Sequence, residues 1–157
     1  MPASYPGSVK SFTTKTDGVD YVMAAHVNEI QDEIAAVETD LLTGLVDYSG
    51  LSSVTGWGSF TSKLIWVKMI GKLAYVNFYI DGISNSVSTY FSLPVIALTG
   101  TRYGGTVAAC NNGLTVDGGI WVVAGASALA EFYTNIFGGG WVASGQKIIL
   151  GQFFIWT

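Results

Sequence analysis

At 157 residues the chain holds one domain with its own core plus an appendage. Charged residues are only 11% and apolar ones 50%, too little charge to clothe a solitary monomer. The net charge of −4 and the single arginine, Arg102, leave no basic patch to neutralise phosphates, which argues against nucleic acid and anionic membranes as partners.

Residues 1–19 hold Pro2, Pro6, Gly7 and Gly18 among Ser, Thr and Lys and keep neither helical nor strand period, so an extended arm is expected. Within it Tyr5, Pro6, Val9 and Phe12 are the candidates for docking on a partner. A helix is expected over residues 20–43, capped by Asp20 and stopped by Gly44 in a left-handed conformation. Met23, Val27, Ile30, Ile34, Val37 and Leu41 step by four, three, four, three and four, so they form an a/d heptad seam free of polar residues. β-branched Ile30 and Val37 at d disfavour a parallel dimer, and a homotrimeric coiled coil is the expectation. An amphipathic helix lying on its own domain is the competing reading. His26 falls at g beside Glu29 and Glu33, where an ion pair on a solvated face accounts for it and no metal role is expected.

Residues 44–62 read as a Gly/Ser-rich connector, after which the period becomes two. Residues 64–70 and 73–80 are predicted strands joined by a tight turn at Gly71-Lys72. In the second, Ala74, Val76, Phe78 and Ile80 share one face and Leu73, Tyr75, Asn77 and Tyr79 the other; both are apolar enough for a core on one side and a neighbouring subunit on the other. Asp81-Gly82 is read as a turn. Further strands are expected at residues 89–93, 106–110 (opened by Gly104-Gly105), 114–116, 120–123, 129–133 and 147–156, with Asn111-Asn112-Gly113 as the strongest hairpin signal. Short strands and no second helix make the fold mainly β: residues 63–157 are expected to form a jelly-roll-like β-sandwich head behind the helical stalk.

YPGSVKSFTTKTDGVDYVMAAHVNEIQDEIAAVET, residues 5–39, resembles the N-terminal module that recurs in structural proteins of tailed bacteriophages: an arm with Tyr-Pro-Gly, a Lys-x-Asp turn, then an Ala-Ala-x-x-Asn-Glu-Ile-like helix. GWGSFTSKLIWVKMIGKLAYVNFYIDGISNS, residues 56–86, resembles the globular heads that follow such modules in fibre and appendage proteins. The resemblance implies a homotrimeric virion component made in the host cytoplasm. Its arm would grip another virion protein, in tail, baseplate or capsid, and its head would face outward. It implies no catalytic residue.

The chain has no GxSxG, Walker, HExxH, calcium-loop or dinucleotide pattern, and its one histidine leaves a triad little room. No catalytic residue, metal or cofactor is therefore expected. The uncharged runs are broken by Gly, Asn and Ser before they reach membrane-spanning length. Cys110 stands alone, so no intrachain disulfide forms, and it reads as a small buried hydrophobe. The candidate binding residues are aromatic: Trp57, Tyr90, Tyr103 and Trp141, in or beside loops, where rings suit sugars and protein surfaces alike and where core or interface packing is the commoner use. The leading expectation is a short tail fibre or receptor-binding tip whose head binds host-surface carbohydrate. A capsid decoration or head-fibre protein is the alternative. A virion-bound glycan hydrolase is a third reading, resting on Asp47, Asp81, Asp117 and Glu131.

Overall fold

The computed structural model describes residues 23–116 and 119–157. The docking residues Tyr5, Pro6, Val9 and Phe12, the cap Asp20, and Asp117 lie outside the described residues. Two units are present, a helical one up to Gly44 and a β head from Leu45 to Thr157.

In the first unit α1 spans Ala24–Leu42, and Met23 rather than Asp20 is its N-cap. The Met23 N–H donates to His26 Nδ1 at 3.1 Å, so His26 takes the place that Glu or Gln fills in a capping box. At the other end the helix stops because Thr43 turns extended (φ −60°, ψ 123°) while its N–H still reaches Thr39 O at 2.9 Å. Gly44 is not in the left-handed region, so the expected glycine stop is not the device used. No residue of α1 is buried in the single chain.

The head is mainly β. Its strands are β1 Val46–Asp47, β2 Val54–Thr55, β3 Trp57–Ile70, β4 Leu73–Ser84, β5 Tyr90–Ser92, β6 Arg102–Thr106, β7 Ala108–Asn111, β8 Leu114–Val116, β9 Ile120–Ala124, β10 Leu129–Tyr133 and β11 Gln146–Trp156. They form a six-stranded sheet, β1-β3-β4-β11-β7-β8, and a five-stranded sheet, β2-β5-β10-β9-β6, with every pairing antiparallel. Positive φ values place the two tight hairpins: Gly71 at 59° joins β3 to β4, and Asn112 at 53° with Gly113 at 77° joins β7 to β8.

Three expectations need correction. The connector at residues 44–62 contains β1, β2 and β3 as far as Ser62; its Gly and Ser content masked strands held by cross-strand pairing. Asp81-Gly82 does not turn but continues β4, and glycine is needed there because β3 bulges between Trp57 and Ser62 and brings the Ser59 carbonyl against the Gly82 Cα. Gly104 and Gly105 lie inside β6, since a Cβ on Gly105 would meet the Trp121 indole 2.7 Å away.

The sheets pack face to face through aromatic rings. Phe78 of β4 lies 5.5 Å from Phe91 of β5 and 5.2 Å from Phe132 of β10, and Trp121 of β9 stacks on Phe153 of β11 at 4.4 Å. Each ring removes roughly 150–250 Å² from water, so at ~25 cal/mol per Å² this cluster dominates the stability of the head. Ala74, Val76, Phe78 and Ile80 are all buried, as the period-two pattern requires. Cys110 is half-buried on β7.

Candidate functional site

Two of the four aromatics chosen from the sequence are structural. Trp57 and Trp141 are buried, and both face the ammonium of Lys147, whose Nζ lies 5.1 Å from one ring centroid and 5.4 Å from the other. The indole N–H groups are satisfied by main chain, Trp57 Nε1 donating to Lys147 O at 3.0 Å and Trp141 Nε1 to Phe132 O at 2.8 Å. Trp57 opens β3 and Trp141 lies in the loop before β11, and both rings turn inward onto Lys147, so a place in or beside a loop did not make them available.

Lys147 is fully buried, and its Nζ donates to Gly56 O at 3.0 Å, Ser86 O at 2.9 Å and Thr89 Oγ1 at 2.8 Å. Burial pushes its pKa down to about 8. Three oxygens and two ring faces favour the charged form, and the ammonium stays protonated at neutral pH. The signal was present in the sequence: along β11 Lys147 has the parity of the inward-facing Ile149, Phe153 and Ile155.

The lysine fixes the segment from Ser86 to Thr89, and that segment is one wall of a surface cleft of about 320 Å³. Val87, Thr89 and Tyr90 form this wall; Glu131, Tyr133 and Gly138 face it. Two main-chain bonds brace the walls, Trp141 N to Val87 O at 3.0 Å and Phe132 N to Thr89 O at 2.9 Å. Within the cleft Glu131 stands opposite Tyr90 in register and accepts a hydrogen bond from Tyr133 Oη at 2.8 Å. That bond, with burial and the carboxylate's charge, raises the Tyr133 pKa, and Arg102 opposes the rise. Tyr133 and Gly138 also border a second hollow of about 420 Å³ that includes Arg102, Ile120 and Phe137. Asn135 organises the loop above it, its Oδ1 accepting from Phe137 N at 2.9 Å and Gly139 N at 3.0 Å. Phe137 is thereby held with its ring 92% exposed.

Of the four predicted binding aromatics, then, Tyr90 lines the cleft. Tyr103 is half-buried on β6 and packs against the core, with its hydroxyl 3.5 Å from Trp156 O. Glu131 entered the sequence reading only as a spare carboxylate, and Tyr133 and Phe137 not at all; single aromatic residues in β-rich text carry no mark of which face they take. The other described carboxylates of the head are elsewhere: Asp47 Oδ1 accepts from Ser49 N, and the buried Asp81 accepts from Gln146 Nε2, both on the six-stranded sheet. Among the described residues no three His, Cys, Asp or Glu side chains come together, and no helix is long and apolar enough to cross a membrane. Compared with family models, curated proteins and solved structures, the chain matches none.

Proposed function

We propose that the protein is a homotrimeric bacteriophage virion appendage: the arm attaches it to the particle, α1 forms a short three-stranded coiled coil, and the β head presents the Tyr90–Glu131–Tyr133 cleft to carbohydrate on the host surface. The observation that carries the reading is the seam. Met23, Val27, Ile30, Ile34 and Leu41 are 44–60% exposed on the lone helix, and an apolar groove runs along Ile30, Ile34 and Val37. A helix of 19 residues, roughly 28 Å long, leaves that stripe in water unless other copies, or in the competing reading the chain's own head, cover it. In the cleft, tyrosine rings offer apolar contact and Glu131 an acceptor, while Arg102 in the adjoining hollow offers donors, a combination that suits a polyol.

Light scattering on the purified chain should give a trimer. Pre-incubating host cells with it should block phage adsorption, and deleting residues 1–19 should leave a trimer that no longer joins particles. Particle imaging that places the protein on the shell, together with unblocked adsorption, would replace the adhesin reading with capsid decoration. A monomer at micromolar concentration would end both.

A further inference from the structure

The outward face of the six-stranded sheet is unlike the surface of a finished monomer. Along β11 the outward residues Leu150, Phe154 and Trp156 are 43%, 52% and 54% exposed, alternating with the buried Ile149, Phe153 and Ile155. Register extends each across the sheet: Leu150 lies beside Tyr79 and then Leu64, Phe154 beside Tyr75, and Trp156 beside Leu73 and then Ile70. The Tyr75 and Phe154 rings meet at 4.9 Å. The one polar row is Gln152, Asn77, Trp66 and, on the edge strand β1, Asp47, and there the Gln152 Oε1 already accepts from the Tyr75 hydroxyl.

We propose that this face is where the heads of neighbouring copies pack, with Phe154 and Trp156 at the centre of the contact. The proposal rests on the trimeric reading above and names the surface that the head contributes to it. Half-exposed rings and aliphatics in the Leu150, Phe154 and Trp156 rows, the first set apart from the other two by the Gln152 row, present roughly 400–600 Å² of apolar area, at the top of what monomers tolerate and the greater part of the ~800 Å² per partner of a stable interface. Identical faces brought together place like charges near one another, and these four rows carry two charges of opposite sign, Lys68 in the Phe154 row and Asp47, which continues the Gln152 row onto the edge strand β1, so the face as a whole is neutral. Only Thr43, Gly44 and Leu45 separate α1 from β1, and β1 is an edge strand of this same sheet. Along the chain, copies joined through α1 are therefore joined closest to this sheet.

Tryptophan fluorescence of the full chain reads the face directly. Trp57, Trp121 and Trp141 are buried, whereas Trp66 is part-exposed and Trp156 half exposed on this face unless another copy covers it. Acrylamide quenching compared between wild type and Trp156→Phe isolates its contribution. Trp156 should be quenched severalfold less than free tryptophan in the wild-type trimer, and readily in Leu150→Glu/Phe154→Glu, whose outward positions leave the core untouched. Should that double variant misfold, the wild-type and Trp156→Phe comparison decides alone. A trimer in which Trp156 is quenched like free tryptophan overturns this proposal and leaves the trimer standing. A monomeric mass overturns both. Shielding of Trp156 that appears only when phosphatidylcholine vesicles are added would assign the face to lipid and overturn the proposal.

Discussion

Trp57 holds Lys147 twice: its indole N–H donates to the Lys147 carbonyl at 3.0 Å, and its ring face lies 5.1 Å from the Lys147 ammonium. One side chain thus fixes both ends of a buried cation, and the cation in turn gathers Gly56, Ser86 and Thr89 at one end of the sandwich. Gly56 can present its carbonyl because it adopts a φ of 113°, and a Cβ there would strike Ser88 O at 2.7 Å.

Lys147→Met should therefore destabilise the head. The methionine fills much of the volume but removes the ammonium's three bonds, leaving Gly56 O with only the Asn85 N–H and Ser86 O with only the long bond from Ser84 Oγ, while the desolvation of the charge is recovered. The net loss should be about 2–3 kcal/mol, read from the denaturant midpoint at fixed protein concentration. An unchanged midpoint would mean that water satisfies the three oxygens and that the lysine is incidental.

The same residue sets a pH dependence. Its folded pKa of about 8 lies below the ordinary 10.5 of the unfolded chain. Below pH 8 both states carry the proton and stability is flat; between the two values the unfolded state binds more protons, so stability rises with pH. Tyr133, with a raised pKa, acts oppositely from pH 10 upward, because the folded state then keeps a proton that the unfolded chain has lost. Denaturant midpoints should climb from pH 8 to pH 10 in wild type and stay flatter in Lys147→Met. Parallel curves for the two proteins would refute the assignment.

Substitution should also separate the aromatics that the sequence grouped together. Trp141→Ala empties a buried site and should cost about 3–5 kcal/mol, lowering stability first and binding only as a consequence. Tyr90→Ala and Glu131→Gln should leave the thermal midpoint within a degree or two of wild type yet lose the ability to block adsorption, each by about 1 kcal/mol or more. If Trp141→Ala kept full stability, its ring would belong to the binding surface after all.

Strand existence was legible wherever period and turn chemistry agreed: Asn112-Gly113 marks its hairpin, and the two faces of β4 separate as read. Boundaries failed where glycine serves a neighbour instead of a turn, as at Gly82 under the β3 bulge and Gly105 under Trp121. Strand spacing also cannot supply the wiring, since nothing local tells β11 to pair with both β4 and β7. The cleft was half legible. Tyr90 was marked by its place beside a turn, but Glu131 and Tyr133 become a pair only through a strand whose outward face the text does not show.

The stalk admits the sharpest test. Ile30 and Ile34 are 48% and 53% exposed on the single chain, so exchanging both for Asn costs a monomer little, and the effect is read against that baseline. In a threefold seam the same exchange places amides at adjacent core layers, each unsatisfied group costing about 1–3 kcal/mol and recurring in every copy. A stalk of 19 helical residues has few layers to spare, because isolated helices of this length are marginal without packing. Ile30→Asn/Ile34→Asn should therefore lose helical circular dichroism and weaken the trimer, while the near-ultraviolet signal of the head's buried tryptophans persists. Retention of wild-type mass, helicity and melting together would show that the stripe is not a seam.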